Sequence, residues 1–181
     1  MKTYIALLRG INVSGHKIIK MDLLRKVLSE LDFENIRTYI QSGNIIFESK
    51  STDIPKLEKQ IADTIFTHFG FVVPIIMITP EELKTVIEKN PYSKENLDDA
   101  TQPYVSFLSE IPKTEHLQVF KTIDFKDDQF VNIDKTLYLW YANAAGNSKL
   151  SNAIIESKLQ LRSTARNWKT VLKLYELATA K

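Results

Sequence analysis

The stretch Ile36-Arg37-Thr38-Tyr39-Ile40-Gln41-Ser42-Gly43-Asn44-Ile45-Ile46-Phe47 holds two β-rich runs around a polar turn. Ile36–Ile40 and Ile45–Phe47 predict a hairpin, with Gln41-Ser42-Gly43-Asn44 as its tip. Outward on both sides the apolar spacing becomes helical. Upstream, Leu23, Leu24, Val27, Leu28 and Leu31 mark one helical face. Downstream, Leu57, Ile61, Ile65 and Phe69 form a second stripe, closed by Gly70 at the C-cap position. Beyond the helices, Lys2–Arg9, with its run Tyr4-Ile5-Ala6-Leu7-Leu8, and Val72–Ile78 read as strands. The order is β-α-β-β-α-β. It predicts a ferredoxin-like lobe in which two helices cover one face of an antiparallel sheet.

Further along, Thr79-Pro80-Glu81-Glu82 has the form of a helix start: Thr79 as N-cap, Pro80 at the first helical position and Glu82 reaching back as a capping box. Leu83, Val86 and Ile87 face inward, and Asn90-Pro91 ends this helix. Residues 92–101 are polar and acidic and read as an exposed connector. Then come a strand Tyr104–Leu108, a helix with Leu117 and Phe120, and short strands near Ile123–Phe125, Phe130–Ile133 and Leu137–Tyr141. A helix with Leu150, Ile154 and Leu159 and another with Trp168, Val171, Leu172 and Tyr175 complete the chain. The expected fold class is α+β. Residues 1–78 form the ferredoxin-like lobe, 79–101 a helix and connector, and 102–181 a second α+β lobe packed with the first as one unit. No residue-level repeat links the halves.

At 181 residues, 44% hydrophobic and 25% charged, the chain is long enough to bury a sizeable core. It has no cysteine, which excludes disulfides, thiolate zinc sites, iron–sulfur clusters and cysteine catalysis. No signal-peptide pattern opens it, and no run approaches the roughly 18 apolar residues of a membrane helix, so a cytoplasmic protein is expected. Net charge is only +2, but it is unevenly spread. Residues 1–50 carry 8 basic and 5 acidic side chains, residues 51–139 carry 9 and 15, and residues 140–181 carry 7 and 2. Both ends therefore attract anions.

Three polar stretches exceed what a core requires. Arg9-Gly10-Ile11-Asn12-Val13-Ser14-Gly15-His16-Lys17 runs from a strand into a helix. Its two glycines are spaced as in a phosphate loop, but His16 intervenes before Lys17 and Ile18 stands where the magnesium ligand would be, which argues against nucleotide hydrolysis of that kind. Converging backbone N–H groups beside Arg9 and Lys17 still suit an anion. The hairpin tip adds Tyr39, Gln41, Ser42 and Asn44, groups fitted for hydrogen bonding and stacking on a planar ligand. The third stretch is in two pieces. Asn143-Ala144-Ala145-Gly146-Asn147-Ser148-Lys149 joins a strand to a helix, with Ser148 as the expected N-cap of that helix. Thr164-Ala165-Arg166-Asn167 opens the last helix, with Thr164 as its N-cap and Arg166 beside the free N–H groups.

His16, His68 and His116 stand apart from one another, so neither a metal site nor a cofactor is expected. Asp98-Asp99 and Asp127-Asp128 fall in predicted turns, where solvation accounts for them. Trp140 and Trp168 read as core aromatics.

Leu7-Leu8-Arg9-Gly10-Ile11-Asn12-Val13, Arg37-Thr38-Tyr39-Ile40-Gln41-Ser42-Gly43-Asn44, Ser148-Lys149-Leu150 and Arg166-Asn167-Trp168-Lys169-Thr170-Val171-Leu172 together resemble the signature blocks of domain-of-unknown-function family 1697. The resemblance implies a cytosolic, mostly bacterial α+β protein with two ferredoxin-related lobes. It implies no reaction. The chain departs from the family pattern at Ser14, Gly15 and His16, at Lys20, and at Ala165 and Lys169.

These readings converge on a binding protein whose basic inter-lobe cleft takes a phosphorylated or carboxylated small molecule, or a nucleic-acid backbone. Its expected ligand-binding residues are Arg9, Asn12, Lys17, Tyr39, Gln41, Ser42, Asn44, Asn147, Ser148, Lys149, Arg166 and Asn167. The alternatives are a transferase or hydrolase acting on a phosphorylated substrate in the same cleft, which needs a general base, and a protein-interaction domain.

Overall fold

A computed structural model describes residues 1–93 and 103–180. The chain divides into two compact units, Met1–Lys84 together with Lys173–Lys181, and Thr85–Leu172.

In the first unit the order is β1 (Lys2–Leu8), α1 (Met21–Leu28), β2 (Glu34–Tyr39), β3 (Asn44–Ser49), α2 (Ile54–Phe69) and β4 (Ile75–Ile78). The strands lie in the order β2-β3-β1-β4, every neighbouring pair antiparallel. Alternation along β1 sends Tyr4, Ala6 and Leu8 to one face, where they pack with Leu24, Leu28, Leu57, Ile61 and Ile65 from the two helices. Phe47, opposite Tyr4 on β3, stacks on Phe33 at 4.2 Å between ring centres. Side-chain chemistry sets the helix ends. The Asp53 carboxylate accepts from the Lys56 N–H at 3.1 Å and starts α2. Gly70, at φ +78, returns its N–H to the Phe66 carbonyl and stops it. The capping box predicted for α3 (Pro80–Glu88) is present. The Glu82 N–H donates to Thr79 Oγ1 at 3.2 Å, and the Thr79 N–H donates to Glu82 Oε2 at 2.8 Å.

The second unit repeats this plan: β5 (Tyr104–Leu108), α4 (Thr114–Lys121), β6 (Gln129–Ile133), β7 (Thr136–Trp140), α5 (Asn152–Leu159) and β8 (Ser163–Asn167), in the strand order β6-β7-β5-β8. The final helix, α6 (Trp168–Thr179), follows β8 as α3 follows β4. The match extends to single hydrogen bonds. In one sheet the Leu8 N–H donates to Gly43 O (2.8 Å) and the Arg9 N–H to Pro74 O (2.9 Å). In the other the Leu108 N–H donates to Lys135 O and the Ser109 N–H to Arg162 O, both at 2.9 Å. Both units are therefore ferredoxin-like, although their sequences show no repeat.

Several expectations are corrected. Ile123–Phe125 is not a strand; it lies in the connection from α4 to β6, with Phe125 buried against Phe120 and Phe130. Ser163–Asn167 is a strand, paired antiparallel with β5 from Tyr104↔Asn167 to Leu108↔Ser163. Its sequence Ser-Thr-Ala-Arg-Asn lacks the alternating apolar residues that announce strands, because polar side chains, Ser163, Thr164 and Arg166, fill its buried positions. Ser151, not Ser148, caps α5 by accepting from the Ile154 N–H. Thr164 lies within β8, and Asn167 caps the last helix, its Oδ1 accepting from the Thr170 N–H at 2.8 Å. Most of the expected connector at 92–101, with Asp98-Asp99, lies outside the described residues. Among those described, no helix is long and apolar enough to cross a membrane.

Candidate functional site

The repeated plan measures how much chain each connection requires. Unit two passes from β5 into α4 through residues 109–113, five in all; unit one spends residues 9–20, twelve, on the same turn from β1 into α1. Seven residues of the first loop are thus surplus to the fold, and surplus loop on a rigid scaffold is where function concentrates.

That loop has a built conformation. Gly10, Asn12, Ser14, Gly15 and Lys17 all have left-handed φ, between +48 and +77. Left-handed turns of this kind can gather backbone N–H groups into a concavity suited to anions; here the Asn12 N–H donates to Lys17 O at 3.1 Å and the His16 N–H to Val13 O at 2.9 Å, within the loop itself. Asn12 holds the loop together. Its Nδ2 donates to Ile19 O (3.0 Å) and Gln41 O (2.7 Å), and its Oδ1 accepts from the Ile19 N–H (2.8 Å). Lys17 Nζ donates to Val72 O at 2.7 Å and stands 6.0 Å from the centre of the Phe71 ring. Three connections, residues 9–20, 40–43 and 70–74, are therefore pinned at one end of the first sheet.

The hairpin tip fits against this loop because Gly43 has no side chain. Its φ is +77, and a Cβ there would lie 2.6 Å from Leu8 Cβ and 2.8 Å from Ile11 Cδ1. Asn44 is fully buried and donates to Tyr39 O (3.0 Å) and Ser42 Oγ (3.1 Å), closing the hairpin from inside. Ile40 adopts φ +48 while 48% exposed, a costly conformation for a β-branched residue and one that clusters at functional sites. Gln41 and Ser42 are exposed, and Tyr39 is half-buried at the end of β2.

The charge here has one sign. Residues 9–20, 40–44 and 70–74 contain Arg9, Lys17, Lys20 and His16 and no carboxylate. The nearest acid in sequence, Asp22, pairs with Arg25, which also donates to Thr38 Oγ1. Val13, Ile18, Ile40 and Val72 are exposed around the same loops.

The other candidate residues belong to the second unit. Asn147, Ser148 and Lys149 lie on the connection from β7 to α5, residues 141–151, eleven long where its counterpart from β3 to α2 takes four, residues 50–53. They line a cavity of about 360 Å³ together with Lys126, Asp127, Asp128 and Asn143. Solvation alone therefore does not account for Asp127-Asp128. Asp128 accepts from the Ala142 N–H (2.9 Å) and from Ser148 Oγ (2.5 Å), while Ser148 Oγ accepts from the Leu150 N–H (2.8 Å). These carboxylates and Lys126 were not legible as site residues, whereas Asn143 opens the polar stretch singled out in the sequence; the excess loop length shows only against the repeated plan.

Arg166 is on β8 opposite Val105, buried, rather than at a helix start. It donates to Thr164 Oγ1 and to Ala165 O, both at 2.8 Å, and burial pushes its guanidinium down to about 10. Neither Arg166 nor Asn167 lines the cavity around Ser148. Among the described residues, no group of three or more His, Asp or Glu side chains is placed to hold a metal ion.

No curated protein matches the chain. A solved structure of a conserved bacterial protein from Streptococcus pneumoniae shares its fold. It aligns with a TM-score of 0.71 and 24% identity over 98% of this chain and 99% of the other. The family model described as a protein of unknown function, DUF1697, matches residues 1–138, which contain the long loop and the hairpin tip but not the blocks around Ser148 and Arg166. On that match the chain belongs to the DUF1697 family.

Proposed function

We propose that this cytoplasmic protein binds a small anionic ligand, phosphorylated or carboxylated, at the loop end of its first unit. Arg9 and Lys20 supply charge, the loop from Gly10 to Lys17 supplies backbone N–H groups other than those of Asn12 and His16, which donate within it, and Tyr39, Gln41 and Ser42 flank them. Asn12, Lys17 and Asn44 position these loops through the hydrogen bonds described above. The observation that carries the reading is a twelve-residue connection, pinned to two others, bearing basic side chains and no carboxylate where the sibling unit makes do with five residues.

The test is thermal shift with pyrophosphate, ribose 5-phosphate, citrate and a short single-stranded RNA, on wild type and on Arg9→Gln/Lys20→Gln. A ligand at ~100 times its Kd adds about 2.7 kcal/mol. At roughly 2–4 °C per kcal/mol for a chain of this size, that is about 5–11 °C. The double variant should lose the shift. If RNA is the ligand, three neutralised phosphates give a log–log salt slope of about −2, steeper than for a small anion. No shift with any probe at millimolar concentration rejects the reading.

The enzyme alternative finds no carboxylate on these loops, which leaves His16 as the one candidate general base there. A protein-interaction surface is favoured by exposed Val13, Ile18, Ile40 and Val72. It predicts that Val13→Ser and Ile18→Ser abolish capture of a partner protein while leaving the charge of the loop unchanged.

A further inference from the structure

The cavity of the second unit is a different kind of site, at the opposite end of the repeated plan. We infer that it binds a small zwitterion of the α-amino-acid class. Four observations carry this, none of which depends on the reading of the first unit.

One wall is built from residues 141–151, a connection anchored in the core by Tyr141 and Leu150 and seven residues longer than its counterpart. The cavity, about 360 Å³, is in the size range of small-molecule sites, roughly 300–1,000 Å³. Its frame is fixed: Asp128 is held by Ala142 and Ser148, Ser148 by Leu150, and the Tyr141 hydroxyl donates to Leu150 O at 2.9 Å. On that frame the side chains of Lys126, Lys149, Asp127, Asn143 and Asn147 find no partner among the described residues. Preorganised backbone with uncommitted polar groups is what a binding site needs and what a merely solvated loop does not build.

The charge balance selects the ligand. Two lysines face two aspartates, so the lining is neutral overall yet strongly polar. A phosphate dianion would meet both carboxylates, including Asp128, which is held in place by the Ala142 N–H and the Ser148 hydroxyl. A zwitterion meets no such repulsion. Its carboxylate takes the ammonium groups of Lys126 and Lys149, its ammonium takes Asp127, and Asn143 and Asn147, each donor and acceptor, serve either end.

The experiment is isothermal titration of the full chain with each proteinogenic L-amino acid, with glucose 6-phosphate and with inorganic phosphate. At least one amino acid should bind. Its affinity should fall at least about tenfold in Asp127→Asn and in Lys149→Gln, the loss expected for one charged hydrogen-bond partner. Both are exposed positions outside the frame, and an unchanged circular dichroism spectrum and melting temperature establish that the variants fold. Arg9→Gln/Lys20→Gln should leave the amino-acid titration unaltered, so failure of the first-unit reading leaves this one standing, and the reverse. The inference is overturned if no amino acid binds at 10 mM (about −2.7 kcal/mol), if only the phosphate-bearing probes bind, or if either variant binds as tightly as wild type.

Discussion

Replacing Gly43 by alanine puts the packing of the hairpin tip to a quantitative test. Two penalties add. The position has φ +77, where a side chain costs ~1–2 kcal/mol. The new Cβ would also stand 2.6 Å from Leu8 Cβ and 2.8 Å from Ile11 Cδ1. Ile11 Cδ1 is a side-chain tip and can rotate away. Leu8 Cβ is fixed to the backbone of β1, the strand paired on both sides, so either the strand or the hairpin must move and strain the Leu8–Gly43 hydrogen bond. Overpacking of this sort costs ~1–3 kcal/mol. The total is roughly 2–5 kcal/mol, or about 4–20 °C in Tm for a chain of this length. Gly10→Ala and Gly15→Ala separate the two penalties. They share the left-handed backbone, at φ +70 and +77, but a Cβ there meets nothing within 4 Å. Each should cost only ~1–2 kcal/mol. Gly146→Ala, in open space without a positive φ, should be neutral or stabilising by ~0.4–1 kcal/mol. Urea denaturation of the four variants gives the ranking directly. If Gly43→Ala costs no more than Gly15→Ala, the close approach of hairpin and strand is not what fixes the loop end.

Asn12→Ala removes three side-chain hydrogen bonds at once, worth about 2–3 kcal/mol at ~1 kcal/mol each. Exchange of the Ile19 amide should quicken roughly thirty-fold or more, and unchanged protection would show that Asn12 does not organise the loop. At alkaline pH, Tyr138 supplies a linkage of known sign. Its hydroxyl donates to Val86 O at 2.9 Å, and burial, with the nearby Asp134 charge, pushes it up to about 12. An unfolded tyrosine ionises near 10, so the folded chain is the better proton binder between pH 10 and 12. The stabilisation is complete below pH 10 and disappears as pH rises through about 12. The stability gap between wild type and Tyr138→Phe should therefore narrow from pH 9 to pH 11.5, the comparison cancelling the opposing contribution of Arg166. A constant gap refutes the assignment.

The first unit was readable because each element carried its own local signal. The helical stripe Leu57, Ile61, Ile65 ends at Gly70, and the two β-rich runs flank Gly43, so period and punctuation agree with the final fold. β8 was hidden because Ser163, Thr164 and Arg166 occupy its buried positions. A strand with polar side chains facing inward looks like a helix cap followed by a helix, and that is how Thr164 was misplaced. The caps of the last two helices shifted for the same reason: several Ser, Thr and Asn residues stood near each start, and tertiary pairing decided among them. For the candidate site, sequence placed Arg9, Asn12, Lys17, Gln41 and Ser42 on connections that the fold pins together. It gave no hint that Asn12 and Asn44 spend their amides on backbone carbonyls. Lys126 and Asp127 were invisible for a different reason, because a turn and a cavity wall are spelled with the same polar residues.

Each half also serves as the other's deletion experiment. The short turn of residues 109–113 shows that this plan can be closed with fewer residues than 9–20, and residues 50–53 make the same point for 141–151. An ancestral gene copied in tandem, then embroidered at one pole in the first copy and at the other pole in the second, would leave this pattern. Selection for what each half holds would then be free to rewrite one loop at a time, within the limits set by the core contacts of Ile11 and Ile19 in the first and of Tyr141 and Leu150 in the second.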